Sequence, residues 1–123
     1  MTWEINGTDE FAAWYGTLDI AEQDEVIAVV ELLAEHGPGL DRPHADRVRG
    51  SKYHNMKELR PRGVAKHCRV LFIFDPRREA ILLLGGDKSG QWAKWYATAI
   101  PRAERLYEDY LADLKAQGLL DDI

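Results

Sequence analysis

The sequence predicts an α+β domain: two N-terminal helices packed on a small antiparallel β-sheet, with a C-terminal helix after it. Three observations lead there. Apolar residues recur at three-and-four spacing near both ends, at Val26, Val29, Val30 and Leu33 and again at Leu106, Tyr107, Tyr110, Leu111 and Leu114. Between them lie two strand-like runs, one alternating and one continuously apolar, over 66–74 and 80–84. With 123 residues, the chain has room for one domain with one core and not for two.

Each element has a local reason. Thr2 to Asn6 predicts a short first strand ended by Gly7, after which Thr8 or Asp9 caps a helix carrying Phe11, Trp14 and Tyr15 on one face. A second helix is predicted from Asp19 to His36, stopped by Gly37 and Pro38. The span from Gly39 to His54 mixes Gly, Pro, His and Arg without periodicity and predicts a long basic loop. Met56 to Arg60 predicts a short strand, and Lys66 to Phe74 a longer one with Cys68, Val70, Phe72 and Phe74 facing inward and His67 and Arg69 outward. The turn chemistry of Asp75-Pro76-Arg77-Arg78-Glu79 joins it to the run Ala80 to Leu84, completing an antiparallel meander. Gly85 and Gly86 end that strand, Lys88 to Tyr96 reads as a loop, and Pro101 suits the first turn of the last helix. On this reading helices cover one face of the sheet, and the other stays open and charged.

Charge is partitioned along the chain. From Arg42 to Arg78 there are eleven Lys/Arg against three acids, a local excess of +8, although the whole chain carries −5. The first 36 residues hold nine acids and neither Lys nor Arg. A polyanion responds to the local field of a basic face rather than to the sum, so the acidic total does not argue against RNA.

Several familiar sites are absent from the sequence: a phosphate-binding glycine motif, His-Glu-x-x-His, paired cysteines and a nucleophile elbow. His36, His44, His54 and His67 are scattered with no ligand spacing, so neither a metal nor another cofactor is expected. The single Cys68 lies in an apolar run and reads as a buried thiol. No run reaches the length of a membrane span and the acidic N-terminus does not resemble a signal peptide, so a cytoplasmic protein without a membrane partner is expected.

What remains is Arg, Lys and His with three late aromatics. Metal-free RNA cleavage needs a base for the 2′-hydroxyl proton, cations for the phosphorane and an acid for the leaving 5′-oxygen. The basic block holds such types, with Arg49, Lys52, His54, Lys57, Arg62 and Lys66 as candidate RNA contacts and Lys94 beyond it. Trp92, Trp95 and Tyr96 are of the type that stacks unpaired bases. A solvated charged face and core aromatics would account for the same residues.

The strings Met56-Lys57-Glu58-Leu59-Arg60, His67-Cys68-Arg69-Val70-Leu71-Phe72 and Ile81-Leu82-Leu83-Leu84-Gly85-Gly86-Asp87-Lys88-Ser89, in that order before a final helix, resemble the RelE/HigB-like toxins in their phage-derived branch. Recognisable strings run over about residues 50–112, and the first 50 residues match in layout. The resemblance implies a RelE-like fold and the toxin of a type II toxin–antitoxin pair, which enters the ribosomal A site and cuts messenger RNA without a metal. It implies an antitoxin of helix-turn-helix type, and the ribosome and messenger RNA, as partners. Arg60 and Arg69 fall on the family's strand arginines and would hold the scissile phosphate, Lys88 falls on the lysine after the last strand, and Lys57 would add a contact. His54, His67 and Tyr96 are the candidates for proton transfer. The chain departs from the pattern in its acidic total and in ending the last strand with Gly86-Asp87-Lys88-Ser89. A non-catalytic nucleic-acid- or protein-binding module derived from such a toxin is the alternative reading.

Overall fold

A mixed sheet held between two helical layers organises residues 2–120, the part of the chain described by the computed structural model. The elements in order are β1 (Ile5–Gly7), α1 (Asp9–Tyr15), α2 (Ile20–His36), β2 (Ala45–Arg47), β3 (Lys57–Leu59), β4 (Cys68–Phe74), β5 (Ala80–Asp87) and α3 (Trp92–Ala116). Their order across the sheet is β1-β5-β4-β3-β2. The meander β3 to β5 is antiparallel as expected and β2 extends it, while β1 adds to β5 in parallel. Parallel addition follows from the connection, because α1 and α2 carry the chain from β1 across one face before the meander begins.

The N-terminal helices form where their caps lie. Thr8 Oγ1 accepts the Phe11 N–H at 3.0 Å to start α1. Asp19 and Glu22 make a reciprocal capping box at the head of α2, each side chain accepting the other's backbone N–H. Gly37, with φ of 60°, ends α2.

Two expectations about the last helix need correction. The last helix begins at Trp92, not at Pro101, which lies inside it. Pro101 and Ala97, whose carbonyl loses its helical donor, are both exposed, so water can take the place of the missing N–H. The longer helix covers the face expected to be open. Val70, Phe72 and Leu82 pack with Val26, Val29 and Leu33 of α2, whereas Leu71, Ile73, Ile81 and Leu83 pack with Ala99, Ile100, Ala103 and Tyr107 of α3. Burial on both sides explains why β5 reads as continuously apolar.

The expected loop over 39–54 contains β2, a third correction. This edge strand is three residues long, and only Ala45, paired with Leu59, is fully buried. So short a strand with one buried position leaves no alternation to detect.

A bulge in β5 sets the approach of α3. Leu71 pairs with Leu84 but Phe72 with Leu82, so Leu83 and Leu84 both face α3. Beyond the bulge Gly85 turns to α1 and Gly86 to α3, where added Cβ atoms would stand 2.2 Å from the Trp14 ring and 2.3 Å from Trp95 Nε1. We expect Gly86→Ala to push Trp95 off the sheet and cost roughly 1–3 kcal/mol. A urea titration should show a lower midpoint with an unchanged slope.

Candidate functional site

The backbone of β3 sends alternate side chains to opposite faces of the sheet. Lys57 goes toward the α2 layer, where its Nζ donates to the Pro38 carbonyl at 3.2 Å. Glu58 goes toward α3 and is 3% exposed. A buried carboxylate requires partners, and three side chains supply them. Arg60 Nε donates to Glu58 Oε2 at 2.8 Å, Arg69 Nε lies 3.6 Å from the same oxygen, and the Tyr96 hydroxyl makes a short hydrogen bond to Oε1. Arg60 also reaches Asp46 of β2 through Nη2 at 3.2 Å.

The two arginines are held differently. Arg69 Nη1 donates to the carbonyls of Lys66 and Cys68 at 2.9 and 2.7 Å, and its buried Nε has no hydrogen-bond partner. Its guanidinium is thus fixed in the base of the site. Arg60, with a third of its side chain exposed, faces the cleft.

That cleft, about 310 Å³, is bounded by Arg47, Arg49, Arg60, Glu58, Trp92 and Tyr96. A second hollow of about 460 Å³ shares its wall at Asp46, Arg47 and Arg49 and extends to Arg42 and His54. A larger cavity, about 610 Å³, lies between α1 and α3 and is lined by Asp9, Glu10, Asp109 and Asp113 against a single cation, Arg102, which is paired with Glu10, so its field disfavours a phosphate. Size is a poorer guide here than charge.

Electrostatics assign states to the polar groups. Burial pushes the Lys88 ammonium below the usual lysine range, and the nearby Arg69 and Arg60 add to this while Glu58 opposes it. Lys88 Nζ lies 5.3 Å from the centre of the Trp92 ring. Burial and the bond to Glu58 raise the Tyr96 phenol well above its ordinary value. Tyr96 therefore keeps its proton and acts as a donor. At Asp46 partial burial raises the carboxyl, but the Arg47 N–H and the Arg42 and Arg60 guanidiniums outweigh it and the net shift is downward.

The structure brings Arg60, Arg69, Lys88 and Tyr96 together, with Arg49 and Trp92 on the cleft wall. His54 borders the adjoining hollow, and its carbonyl lies 3.5 Å from Arg47 Nη2. His67 lies elsewhere, with Nε2 3.5 Å from Asp87 Oδ2 and 3.9 Å from Glu22 Oε2 on the α2 side. Lys52 is paired with Glu108 of α3 at 2.6 Å. Arg62 is exposed before the short 3-10 turn Gly63–Ala65, and Lys66 and Lys94 are exposed at either side of the site. Trp95 is partly buried between Gly86 and the Tyr96 ring, so it supports the site while Trp92, 58% exposed, is available to a base. Sequence reasoning missed Glu58, Asp46 and Arg47. The one signal was an acid two residues before Arg60, hence on the same strand face.

Comparison with known proteins bears on the family and the fold. The family described as Phage derived protein Gp49-like (DUF891) matches residues 13–108. HigB3 of Mycobacterium tuberculosis, named as a candidate toxin, is 48% identical over 105 residues, which cover 85% of this chain and 90% of HigB3. HigB2 of the same organism, also named as a candidate toxin, is 42% identical over 108 residues, covering 87% of this chain but 54% of the longer HigB2. Among solved structures, a mutant of the E. coli toxin RelE in its free state superposes with a TM-score of 0.61 at 12% identity, covering 83% of this chain and 98% of that one. The RelBE2 toxin–antitoxin complex of M. tuberculosis gives 0.54 at 13% identity, covering 71% of this chain and 99% of the matched one. The archaeal RelE–RelB complex of Pyrococcus horikoshii gives 0.55 at 14%, covering 73% and 99%. At those identities the likeness is one of fold. Among the described residues no helix is long and apolar enough to cross a membrane.

Proposed function

Because the chain belongs to the phage-derived Gp49-like family of RelE/HigB-like toxins, we propose that it is the toxin of a type II toxin–antitoxin pair and cuts messenger RNA in the ribosomal A site. The observation that carries this reading is the cluster of Arg60, Arg69 and Tyr96 around Glu58 at the base of a basic cleft with an exposed Trp92 on its wall.

On this reading the base flanking the scissile phosphate stacks on Trp92, and Arg60 presents its planar fork to the non-bridging oxygens. Glu58 accepts the 2′-hydroxyl proton, the 2′-oxygen forms its bond to phosphorus, and the bond to the 5′-oxygen breaks. Lys88 gives the leaving oxygen its proton, a transfer eased by its lowered affinity for that proton. The products are a 2′,3′-cyclic phosphate and a 5′-hydroxyl. Arg69 and Tyr96 are positioning residues that hold the Glu58 carboxylate. No metal enters these steps. An antitoxin would neutralise the protein by covering the cleft, and ribosome access would place the protein in the cytoplasm.

The test is induced expression in a bacterial host with RNA 5′ ends mapped on translated messages, and Arg60→Ala as the control. Growth arrest with new ends inside ribosome-occupied codons is expected from the wild type. If the wild type binds ribosomes but creates no ends, the non-catalytic binding module replaces this reading.

A further inference from the structure

On the opposite face from the cleft, Glu22, His67 and Cys68 bring one carboxylate oxygen, one imidazole nitrogen and one sulfur within 4.8 Å of one another. We propose that these three side chains form a zinc site that joins the head of α2 to the start of β4. None of the three has a part in the cleavage steps above, and the inference stands independently of them.

The donor set selects the metal. Calcium and magnesium take oxygen ligands, whereas a mixed sulfur, nitrogen and oxygen set suits zinc. His67 Nε2 faces Glu22 Oε2 at 3.9 Å. The other oxygen of Glu22, Oε1, accepts the Asp19 N–H at 3.1 Å in the capping box, so the cap orients the carboxylate and leaves Oε2 for a metal. Donors around tetrahedral zinc stand roughly 3.3–3.8 Å apart, so the three must draw in by at most about 1.5 Å. Rotation of the partly exposed Glu22 and His67 side chains can supply that movement.

Charge points the same way. Cys68 is 1% exposed, lies beside Glu22 and His67, and is paired across the sheet with Asp87. An otherwise apolar sulfur thus faces two carboxylates and an imidazole, a surrounding that a divalent cation would neutralise. On binding, the Cys68 S–H proton leaves to water as the zinc–sulfur bond forms, with no change of oxidation state. Asp87 Oδ2, 3.5 Å from His67 Nε2, can hydrogen-bond a water at the fourth position. The sequence concealed this set because Glu22 lies in a different element from the adjacent His67 and Cys68.

Zinc here would act on the cleft through the backbone. The Cys68 carbonyl is one of the two that hold Arg69, and the His67 carbonyl accepts the Lys88 N–H at 3.0 Å. Fixing His67 and Cys68 to α2 would stiffen the hold on both cations.

The experiment is titration of the full reduced chain with Co2+ as a spectroscopic probe, followed by Zn2+. Thiolate-to-cobalt charge-transfer absorption with tetrahedral visible bands is expected, both lost when Zn2+ is added. Cys68→Ser should remove the charge-transfer band, and His67→Ala, at a partly exposed position that tolerates truncation, should bind at least about 10-fold more weakly. His54→Ala should bind as the wild type does. Absence of the band in the wild type, or cobalt affinity unchanged in folded His67→Ala, would overturn the proposal.

Discussion

Arg60→Ala is expected to abolish growth arrest and to lower messenger cleavage by about 10²–10³-fold, the usual cost of one donor to developing charge. Of the two arginines on Glu58, Arg60 is the informative one because it faces the cleft. Its side chain is a third exposed, and Glu58 keeps Arg69 and Tyr96 when it is removed, so the stability cost should stay on the order of 1 kcal/mol. Arg69→Ala answers a different question. That change strips donors from the Lys66 and Cys68 carbonyls and removes a buried cation beside Glu58, so its loss of activity would mix chemistry with unfolding. Arg60→Lys keeps the charge without the planar fork and should fall between wild type and Arg60→Ala. Rate constants on programmed ribosomes, with circular dichroism of each variant, measure both parts. Cleavage within a few-fold of wild type in folded Arg60→Ala would remove Arg60 from the mechanism.

The sequence disclosed most about elements with strong local chemistry. The start of α2 near Asp19, its apolar stripe and the Gly37 stop were readable because each acts within a few residues. The start of α3 was not, because Pro101 normally marks a first turn and only the tertiary position of Trp95 against Gly86 shows that the helix has already begun. The expectation of an open face came from placing every helix on one side of the sheet, whereas α3 lies on the other. Trp92, Trp95 and Tyr96 consequently lie on a helix over the sheet, not in a loop, and their spacing gives them separate roles.

The site was legible as cations and illegible as an arrangement. Arg60, Arg69 and Lys88 stood on recognisable strings, but nothing local shows that a single acid collects two of them. Glu58 in a basic block reads as charge balance until its burial and the Tyr96 contact from a helix 38 residues away are visible. His67 was the converse case. Alternation from Arg69 placed it outward with the arginine, whereas β4 begins only at Cys68 and the preceding residue turns to Glu22 and Asp87.

Glu58 is also the position at which substitution should separate folding, binding and chemistry. Glu58→Ala leaves Arg69 buried without its anion and the Tyr96 hydroxyl without its acceptor, and breaking such a buried pair costs about 3–5 kcal/mol. Against a typical domain stability of about 5–15 kcal/mol, that should be evident in a urea titration and in yield. Glu58→Gln retains an oxygen for Tyr96 and nearly the same volume, so it should lose less stability. Its charge is gone, however, and Arg60 and Arg69 then present their full field to the cleft. We therefore expect Glu58→Gln to bind single-stranded RNA more tightly than wild type, with a steeper loss of affinity as salt rises, while its cleavage rate falls because the proton acceptor is missing. Tighter binding with slower cleavage would show that the carboxylate competes with phosphate in the free protein and acts as base in the complex. Unchanged cleavage with tighter binding would leave Glu58 as a positioning group and move the base elsewhere in the cleft.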